Sequence, residues 1–492
     1  MKTTSASSSI VVAGSTGFVG AALGEAMGAE AHLVGLSRDA KKSPEGTGYA
    51  ELRACDLYSL LDAEKALVGA RVAVYLVHSM MPTARLTQGS FRDMDLICAD
   101  NFGRAAKKAG VEQIVYLGGL IPQGVKLSTH LASRLEVERT LGAHGVPLTT
   151  LRAGLVLGRG GSSFLMMARL VKRLPLMVSP SWAESATQPV ALADVVDLLR
   201  FVIGNQETYN RTFDVGGPEV LTYRSMMKRT AEVLGLSRHI LPLPIIPRSL
   251  SRLWVSVITG APRELVAPLI ESLGHPMVAR DRELMDRAHV AGTPFNEAVR
   301  DALAEPALDS TRPPSSRRKD LPVAYQAAPK GARGRRSDVR SVQRLPLPLA
   351  HDAEWVASEY VRWLPEGFRP FVRVEVSGPT CRFFAPGISR PLLVLELALG
   401  RSGKDRQLFY ITGGLLSRSR GRGRLEFREV LDRRYIIAAI HEFEPTLPWF
   451  IYRYSQAYAH LGVMWRFRRH LERVIAEAAS APSGEQAERA SL

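Results

Sequence analysis

Gly14, Gly17 and Gly20 stand three residues apart in the run S-I-V-V-A-G-S-T-G-F-V-G from Ser9 to Gly20. β-formers precede them, and a helix-like pattern, F-V-G-A-A-L-G-E-A-M, follows. A glycine at a strand end lets the backbone turn sharply, a second removes the Cβ where a diphosphate must come close, and a third lets the next helix pack on the sheet. The first helical amides then face the anion. With Ser15, Thr16, Phe18 and Val19 completing the loop and helix start, the segment predicts a dinucleotide site. The second strand ends at Leu36 and runs into Ser37, Arg38 and Asp39, about twenty residues past the glycines. An arginine there accommodates a ribose 2′-phosphate, whereas an acid bonds the free 2′-hydroxyl. Ser37 and Arg38 therefore favour NADP, and Asp39 keeps NAD open. Cys55-Asp56-Leu57 closes a third strand, where Asp56 either faces the adenine amino group or, with Ser59, caps the next helix. Tyr75-Leu76-Val77-His78-Ser79 ends a fourth, beside the path of the adenosine ribose.

Regular alternation of strand and helix must position these groups. β-rich runs at Ile10–Ala13, His32–Leu36, Glu51–Cys55, Arg71–Val77, Gln113–Leu117 and Leu148–Leu151 are separated by helical patterns at Val19–Met27, Leu60–Leu67, Asp93–Ala109 and Leu131–His144. That succession predicts an α/β fold, a doubly wound parallel Rossmann sheet with right-handed crossovers. A mixed, partly helical substrate lobe follows to about residue 305, and the domain is expected to span residues 8–305. Residues 346–478 read as a smaller α+β domain. Strands are expected at Phe371–Val376, Leu392–Leu397, Gln407–Thr412, Gly423–Val430 and Tyr435–Phe443, then a long helix at Trp449–Ala476.

At 492 residues two domains are the default, and the 46% apolar and 23% charged fractions are those of a soluble globular chain. Cys55, Cys98 and Cys381 are far apart and lack metal-ligand spacing, so no metal site and no disulfide framework is expected, and a reduced cytoplasmic location fits. The N-terminal apolar run is too short for a signal peptide and already forms the first strand. No stretch is apolar enough to predict a membrane span; Ile240–Gly260 is broken by three prolines and two arginines. Half of the +16 net charge lies between Thr311 and Arg344, where ten Lys/Arg, among them Arg340 and Arg344, face Asp320 and Asp338. Residues 306–345 therefore read as a basic flexible linker, and 479–492 as a disordered tail. Only Tyr325 interleaves the basic run, so a nucleic-acid partner is not expected. Contact with an anionic membrane surface through this linker and the basic end of the last helix is the alternative to a solvated tether.

The motifs G-S-T-G-F-V-G, Y-L-V-H-S-M, D-N-F-G-R-A-A-K-K-A-G-V-E-Q-I-V-Y-L-G-G-L, H-L-A-S-R-L-E-V-E-R-T-L, L-R-A-G-L-V-L-G and F-D-V-G-G-P-E together resemble atypical extended short-chain dehydrogenase/reductase proteins of the NmrA-like, NAD(P)H-binding kind. The resemblance covers about residues 8–290 and implies a Rossmann sheet with bound NAD(P), not a particular reaction. Active members of the wider family carry a serine at the end of the fifth strand and a Tyr/Lys pair four residues apart on the next helix. This chain departs from that set. Its fifth strand ends Tyr116-Leu117-Gly118-Gly119, and His130 and Arg134 fall on the Tyr and Lys positions, one turn apart. The resemblance implies His130 as a proton-transfer group and Arg134 as a ribose contact, or both as cofactor-contacting residues at a helix start capped by Ser128 or Thr129. Tyr116 is an alternative acid or a core tyrosine. Gly118 and Gly119 are expected among the cofactor contacts, Arg152 and Gly154 lie where the family's chain passes the nicotinamide, and Gln123 and Lys126, in the loop between Gly119 and Ser128, line the nicotinamide pocket or are solvated.

In the C-terminal domain, His441 and Phe443 alternate with Glu442 and Glu444, which reads as a half-buried strand with His441 and Phe443 on one face, and Gly423–Arg428 alternates in the same way. Trp449, Ile451, Tyr454, Tyr458 and Leu461 recur at helical spacing, as if gripped by a curved sheet in the manner of helix-grip lipid-binding proteins, with plain core packing as the alternative. Arg466, Arg468, Arg469 and Arg473 with Trp465 and Phe467 suit a helix C-terminus and a membrane surface alike. Two functions compete: an NADP-dependent oxidoreductase or isomerase acting on a hydrophobic carbonyl or alcohol, and a non-catalytic NADP(H)-binding redox sensor or scaffold. Oxidation of NADPH by a panel of carbonyl substrates separates them.

Overall fold

The computed structural model describes residues 9–38, 45–78, 86–242, 271, 273–304, 339–418 and 421–480. They form two compact units, residues 1–81 with 98–332 and residues 82–97 with 333–492.

In the first unit, strands β1 (Ser9–Ala13), β2 (Leu33–Ser37), β3 (Glu51–Ala54), β4 (Ala70–Tyr75), β5 (Gln113–Gly119), β6 (Leu148–Ala153) and β7 (Thr212–Val215) form one sheet. Its order is β7-β6-β5-β4-β1-β2-β3, and every pairing is parallel. Helices α1 (Phe18–Met27), α2 (Leu60–Ala66), α3 (Phe91–Ala109, of which residues 98–109 count with this unit), α4 (Thr129–Gly142), α5 (Ser162–Arg173) and α6 (Leu192–Val202) occur between these strands in the chain. β1 and β2 are buried along their whole length, as near-continuous apolar runs covered on both faces must be. Ile10, Val12, Val72, Val74 and Val115 pack with Leu23 and Met27 of α1 and Val195, Leu198 and Leu199 of α6. Alternation turns Tyr75 and Tyr116 to the opposite face, where the Tyr75 ring meets Phe102 of α3 edge-on at 5.0 Å. The strand order reverses between β1 and β4, and an open α/β sheet binds ligands at the carboxyl ends beside such a reversal. The lobe beyond β6 has its own core, in which Phe164, Met167 and Val171 of α5 meet Met226 of α7 (Tyr223–Val233) and Phe295 and Val299 of α8 (Phe295–Leu303).

The second unit is an eight-stranded sheet. Strands β8 (Val339–Pro346), β9 (Arg373–Ser377), β10 (Thr380–Phe384), β11 (Leu393–Leu397), β12 (Arg406–Gly413), β13 (Arg424–Val430) and β14 (Tyr435–Phe443) run in the order β9-β10-β11-β12-β13-β14-β8, all antiparallel. The short strand Leu86–Gln88 then adds in parallel to β8, which is why residues 82–97 count with this unit rather than with the first. Helices α9 (Ala353–Gly367), α10 (Trp449–Tyr454) and α11 (Gln456–Ser480) complete it. Tyr360 and Trp363 of α9 and Met464, Phe467 and Leu471 of α11 pack on Leu425, Phe427, Ile436 and Ala438 of the sheet. Among the described residues no helix is long and apolar enough to cross a membrane.

Four expectations for this unit are corrected. Residues 339–345 are strand, not linker: Arg340 is buried, and Arg344 Nε donates to Asp93 at 2.7 Å. The rest of the basic run, 306–338, and the tail from 481 lie outside the described residues. His441 and Phe443 do not share a face, because Glu442 adopts φ 51° and β14 bulges against β8 between Val339 and Ser341. Phe443 joins the core under the helices, whereas His441 turns to the opposite face of the sheet. The face carrying Arg424, Glu426 and Arg428 is not solvated either. Glu426 is 2% exposed; its Oε2 accepts from Arg406 (2.9 and 2.7 Å) and Arg428 (2.9 Å), and its Oε1 lies 3.3 Å from His441 Nε2. Burial opposes ionisation of Glu426, but Arg428, Arg406 and His441 outweigh it and hold the carboxyl well below its usual range. Burial lowers His441 to about 4, so the ring is neutral there. Finally, Ile451, Tyr454 and Tyr458 point outward, and the gripped face consists instead of Tyr452, Ala457, Met464, Phe467 and Leu471. Helical spacing is satisfied by both stripes, so the pattern alone could not choose between them.

Candidate active site

The glycine loop leaves β1 at the switch point. Gly14 has φ +90°, a conformation that L side chains avoid, and a Cβ there would lie 3.1 Å from the Leu76 backbone just beyond β4. Leu76 N–H donates to the Ala13 carbonyl at 2.9 Å, so the ends of β1 and β4 are tied side by side. Gly17 N–H closes the turn onto the Gly14 carbonyl at 2.9 Å, and Gly17 is the N-cap of α1 with no side chain capping it. The first-turn amides are thus presented over Thr16 and Gly17, which are exposed. A Cβ at Gly20 would lie 2.2 Å from the Gly14 carbonyl oxygen. Ser15 faces inward, its Oγ donating to the Leu36 carbonyl at 3.0 Å and joining the loop to β2. An open, side-chain-free cradle at a helix N-terminus fits the diphosphate of a dinucleotide.

Two supports of this cradle escape the motif. Gly20, Gly24 and Gly28 recur every four residues along α1, and the segment Thr47–Tyr49 lies against this flat stripe; Cβ atoms at Gly24 and Gly28 would collide with Tyr49 and Gly48. The Tyr49 hydroxyl donates to the Gly20 carbonyl at 2.6 Å, and burial raises its pKa. The four-residue glycine spacing was the available signal. Phe18 packs against Gly158 and Gly161, each of which would place a Cβ 3.1 Å from its ring.

At the end of β2, Ser37 is buried and Arg38 is exposed, while Asp39 lies outside the described residues. Ser59 caps α2, accepting from Asp62 N–H at 3.3 Å. Asp56 folds into a local turn instead, its Oδ1 accepting from Tyr58 N–H at 3.2 Å. The Leu57 carbonyl accepts from Asn101 at 2.7 Å. Burial, with Asp62 and Asp56 nearby, pushes the Cys55 thiol up to about 12, so it is inert as a nucleophile.

The structure gathers His78, His130 and Arg134 into one cluster. His78 follows Leu76 and Val77 beyond β4; His130 and Arg134 lie on one face of α4, whose N-cap is Ser128, with Leu131 N–H to Oγ at 3.3 Å. Arg134 Nη2 donates to His78 Nδ1. A guanidinium has no acceptor, so the His78 proton resides on Nε2. That nitrogen lies 3.3 Å from His130 Nε2, which must accept, leaving the His130 proton on Nδ1. The two rings stand 5.3 Å apart at 48°. One fixed charge therefore sets the tautomers of two imidazoles.

Other expected residues have different work. Tyr116 is fully buried; its hydroxyl donates to the Arg134 carbonyl at 3.4 Å, and it is a core residue rather than an acid at the surface of the site. Gly118 makes room for the Tyr116 ring, while a Cβ at Gly119 would meet only Arg134 Cγ at 4.0 Å. Arg152 grips Glu138 of α4 through two bonds of 2.9 and 2.8 Å, both side chains largely buried. Gly154 admits the Gln188 carbonyl, which a Cβ would approach to 2.3 Å. Gln188, unforeseen, is a buried amide bonded to Gly217 O (2.6 Å) and Ala279 N–H (3.0 Å), holding together the loops beyond β6 and β7. Gln123 and Lys126 are exposed. Among the described residues no group of three metal-ligating side chains occurs.

No family model matches the chain. Auxiliary protein GraX of Staphylococcus aureus is 32% identical over 147 residues, 29% of this chain, and the chain spans 42% of that relative's length. Solved structures that resemble it include a Staphylococcus aureus nucleoside-diphosphate-sugar epimerase (15% identity, 59% of this chain and 99% of that one, TM-score 0.49). A Citrobacter triphenylmethane reductase complexed with NADP(H) matches at 18% identity over 60% and 100% of the two chains, with a TM-score of 0.48. An Escherichia coli NADPH-dependent quinone oxidoreductase complexed with NADPH matches at 16% over 59% and 98%, also at 0.48. By its own strand order and its glycine loop, the first unit has a Rossmann-type fold.

Proposed function

We propose that the first unit binds NADP(H) and acts as an oxidoreductase on a hydrophobic carbonyl or alcohol, with His130 as the hydrogen-bond donor to the substrate oxygen. The directed chain Arg134–His78–His130 beside the glycine cradle carries this reading. The nicotinamide, when bound, supplies the hydride donor or acceptor. Gly14, Gly17 and Gly20 admit the diphosphate to the first-turn amides of α1, and Arg38 with Ser37 receives the 2′-phosphate. Arg134 fixes the His78 ring, His78 fixes the His130 ring, and His130 presents Nδ1–H as a hydrogen-bond donor that polarises a substrate oxygen, the net proton of a reduction coming from solvent. A positioned donor of this kind contributes at least about 10² in rate. The reductases complexed with NADP(H) or NADPH noted above are consistent with the cofactor choice.

The test couples calorimetric NADPH binding to NADPH consumption over a carbonyl panel. His130→Ala is expected to lower turnover at least a hundredfold while leaving NADPH affinity in place, and Arg38→Ala to weaken NADPH but not NADH. Full turnover by the His130 variant would overturn the assignment. A second reading, NADP(H) binding without turnover in a redox sensor or scaffold, is favoured by one feature: glycine stands at the family's serine position and His130 at its tyrosine position, so the site lacks the family's hydroxyl pair, and Tyr116 is buried away from it. Tight NADPH binding with no consumption over the whole panel would establish that second reading.

A further inference from the structure

The second unit turns an unusual set of side chains to solvent along α10 and α11. Phe450 and Tyr454 of α10 are each 70% exposed, and Tyr458 and Trp465 of α11 are 63% and 61% exposed. Tyr458, Gly462, Trp465, Arg469 and Arg473 recur every three or four residues, so they line one side of α11, opposite the buried Ala457, Met464, Phe467 and Leu471. Arg453, Arg466 and Arg468 are exposed beside them. From Trp449 to Ile475 the chain carries five arginines against one acid, Glu472, which is engaged by Arg468 at 3.1 Å and approached by Arg469 at 3.9 Å. Arg453 lies over the Tyr454 ring at 5.5 Å and Arg469 over Trp465 at 5.9 Å, so each of these aromatics has a cation held at its face.

Large aromatic surfaces are costly to leave in water unless another phase takes them. Here aromatics occupy the corner between α10 and α11, and arginines continue the same side over about the next two turns. Tyrosine and tryptophan favour the headgroup level of a bilayer, and arginines beside them pair with lipid phosphates. A helix of 25 residues extends about 37 Å, long enough to lie along such a surface. We infer that this side of α10 and α11 docks in the plane of an anionic phospholipid surface, aromatics inserted at headgroup depth and arginines on phosphates. The occupant is chosen by charge: a rim of five arginines against the single acid Glu472, around exposed aromatics, opposes a second copy of the same surface, which would place a net positive rim against another.

Sedimentation of the full-length protein with vesicles of phosphatidylcholine, with and without phosphatidylglycerol, tests this. Binding is expected to the anionic vesicles only and to weaken as salt rises. Tyr458→Ser with Trp465→Ser, and separately Arg469→Glu with Arg473→Glu, should each weaken it at least tenfold. All four positions are exposed, and unchanged melting curves would show that the variants fold. No sedimentation with either vesicle type would overturn the inference. So would binding that survives loss of the aromatics, which reduces it to diffuse charge attraction. Sedimentation velocity showing a wild-type dimer that the same substitutions dissociate, without vesicle binding, would assign the surface to a second copy. These outcomes are independent of NADPH binding or turnover.

Discussion

Replacing Gly20 by alanine probes the cradle most directly. The new methyl would lie 2.2 Å from the Gly14 carbonyl oxygen, 2.8 Å from Ser15 Cα and 2.9 Å from Gly14 C. All three are backbone atoms, so no side chain can swing away. Comfortable separation needs more than 3 Å, so the loop or the helix start must yield by about 1 Å. Neither is loose: the Ser15 hydroxyl ties the loop to Leu36, and the Tyr49 hydroxyl ties the helix to the rest of its domain through Gly20. Overpacking of this kind costs about 1–3 kcal/mol. Because it falls on the atoms that must meet the diphosphate, NADPH affinity should drop by about tenfold to a hundredfold. Calorimetric titration below the melting temperature of the variant reads this directly. Gly142→Ala is the control, since its Cβ would make only an ordinary 3.4 Å contact with Leu148 Cδ2. A folded Gly20 variant binding NADPH as tightly as the parent would refute the assignment of this bend to the diphosphate.

Four further outcomes are expected. Glu426→Gln leaves Arg406 and Arg428 buried without their counter-charge and should destabilise the second unit by about 3–5 kcal/mol in chemical denaturation. Its acid sensitivity has a defined direction: His441 is lowered from 6.5 to about 4, so between those values the unfolded chain binds a proton that the native ring refuses. Stability should therefore be full above pH 6.5 and fall by about 3 kcal/mol towards pH 4, with Glu426 adding to the loss below 4.5, and denaturation midpoints across that range should show it. Arg152→Ala should lower stability by about 1–3 kcal/mol through the stranded Glu138 and leave NADPH affinity unchanged, separating a structural arginine from a cofactor contact in one titration. Gly462→Ala, in an open helical position with nothing within 4 Å, should stabilise the second unit by about 1 kcal/mol, seen as a higher melting temperature.

Legibility differed between the units for a physical reason. In the first, buried parallel strands must be apolar throughout, and helices between them must show a single apolar side, so the succession of elements stands out in the residues. The tight approaches at Gly14 and Gly20 tolerate no side chain, which leaves glycines at a telling spacing. In the second unit, β8 hides inside a run of arginines because Arg340 and Arg344 take part in the folded structure, and α9 was missed although Val356, Tyr360, Trp363 and Leu364 recur at helical spacing. The roles of Arg152 and Gly154 also escaped, since a carboxylate on α4 and a carbonyl at Gln188 are distant along the chain.

Residue order alone determined the alternating α/β core, the glycine bend and the pairing of His130 with Arg134 one turn apart, because each depends on neighbours within a strand or a helical turn. Only the tertiary structure decided that His78 joins them, that Glu426 with its arginines lies buried, and that Tyr454 and Tyr458 face water while Phe467 does not. Those outcomes depend on which elements lie against one another. Short-range periodicity states that an element has two sides and leaves open which of them is covered.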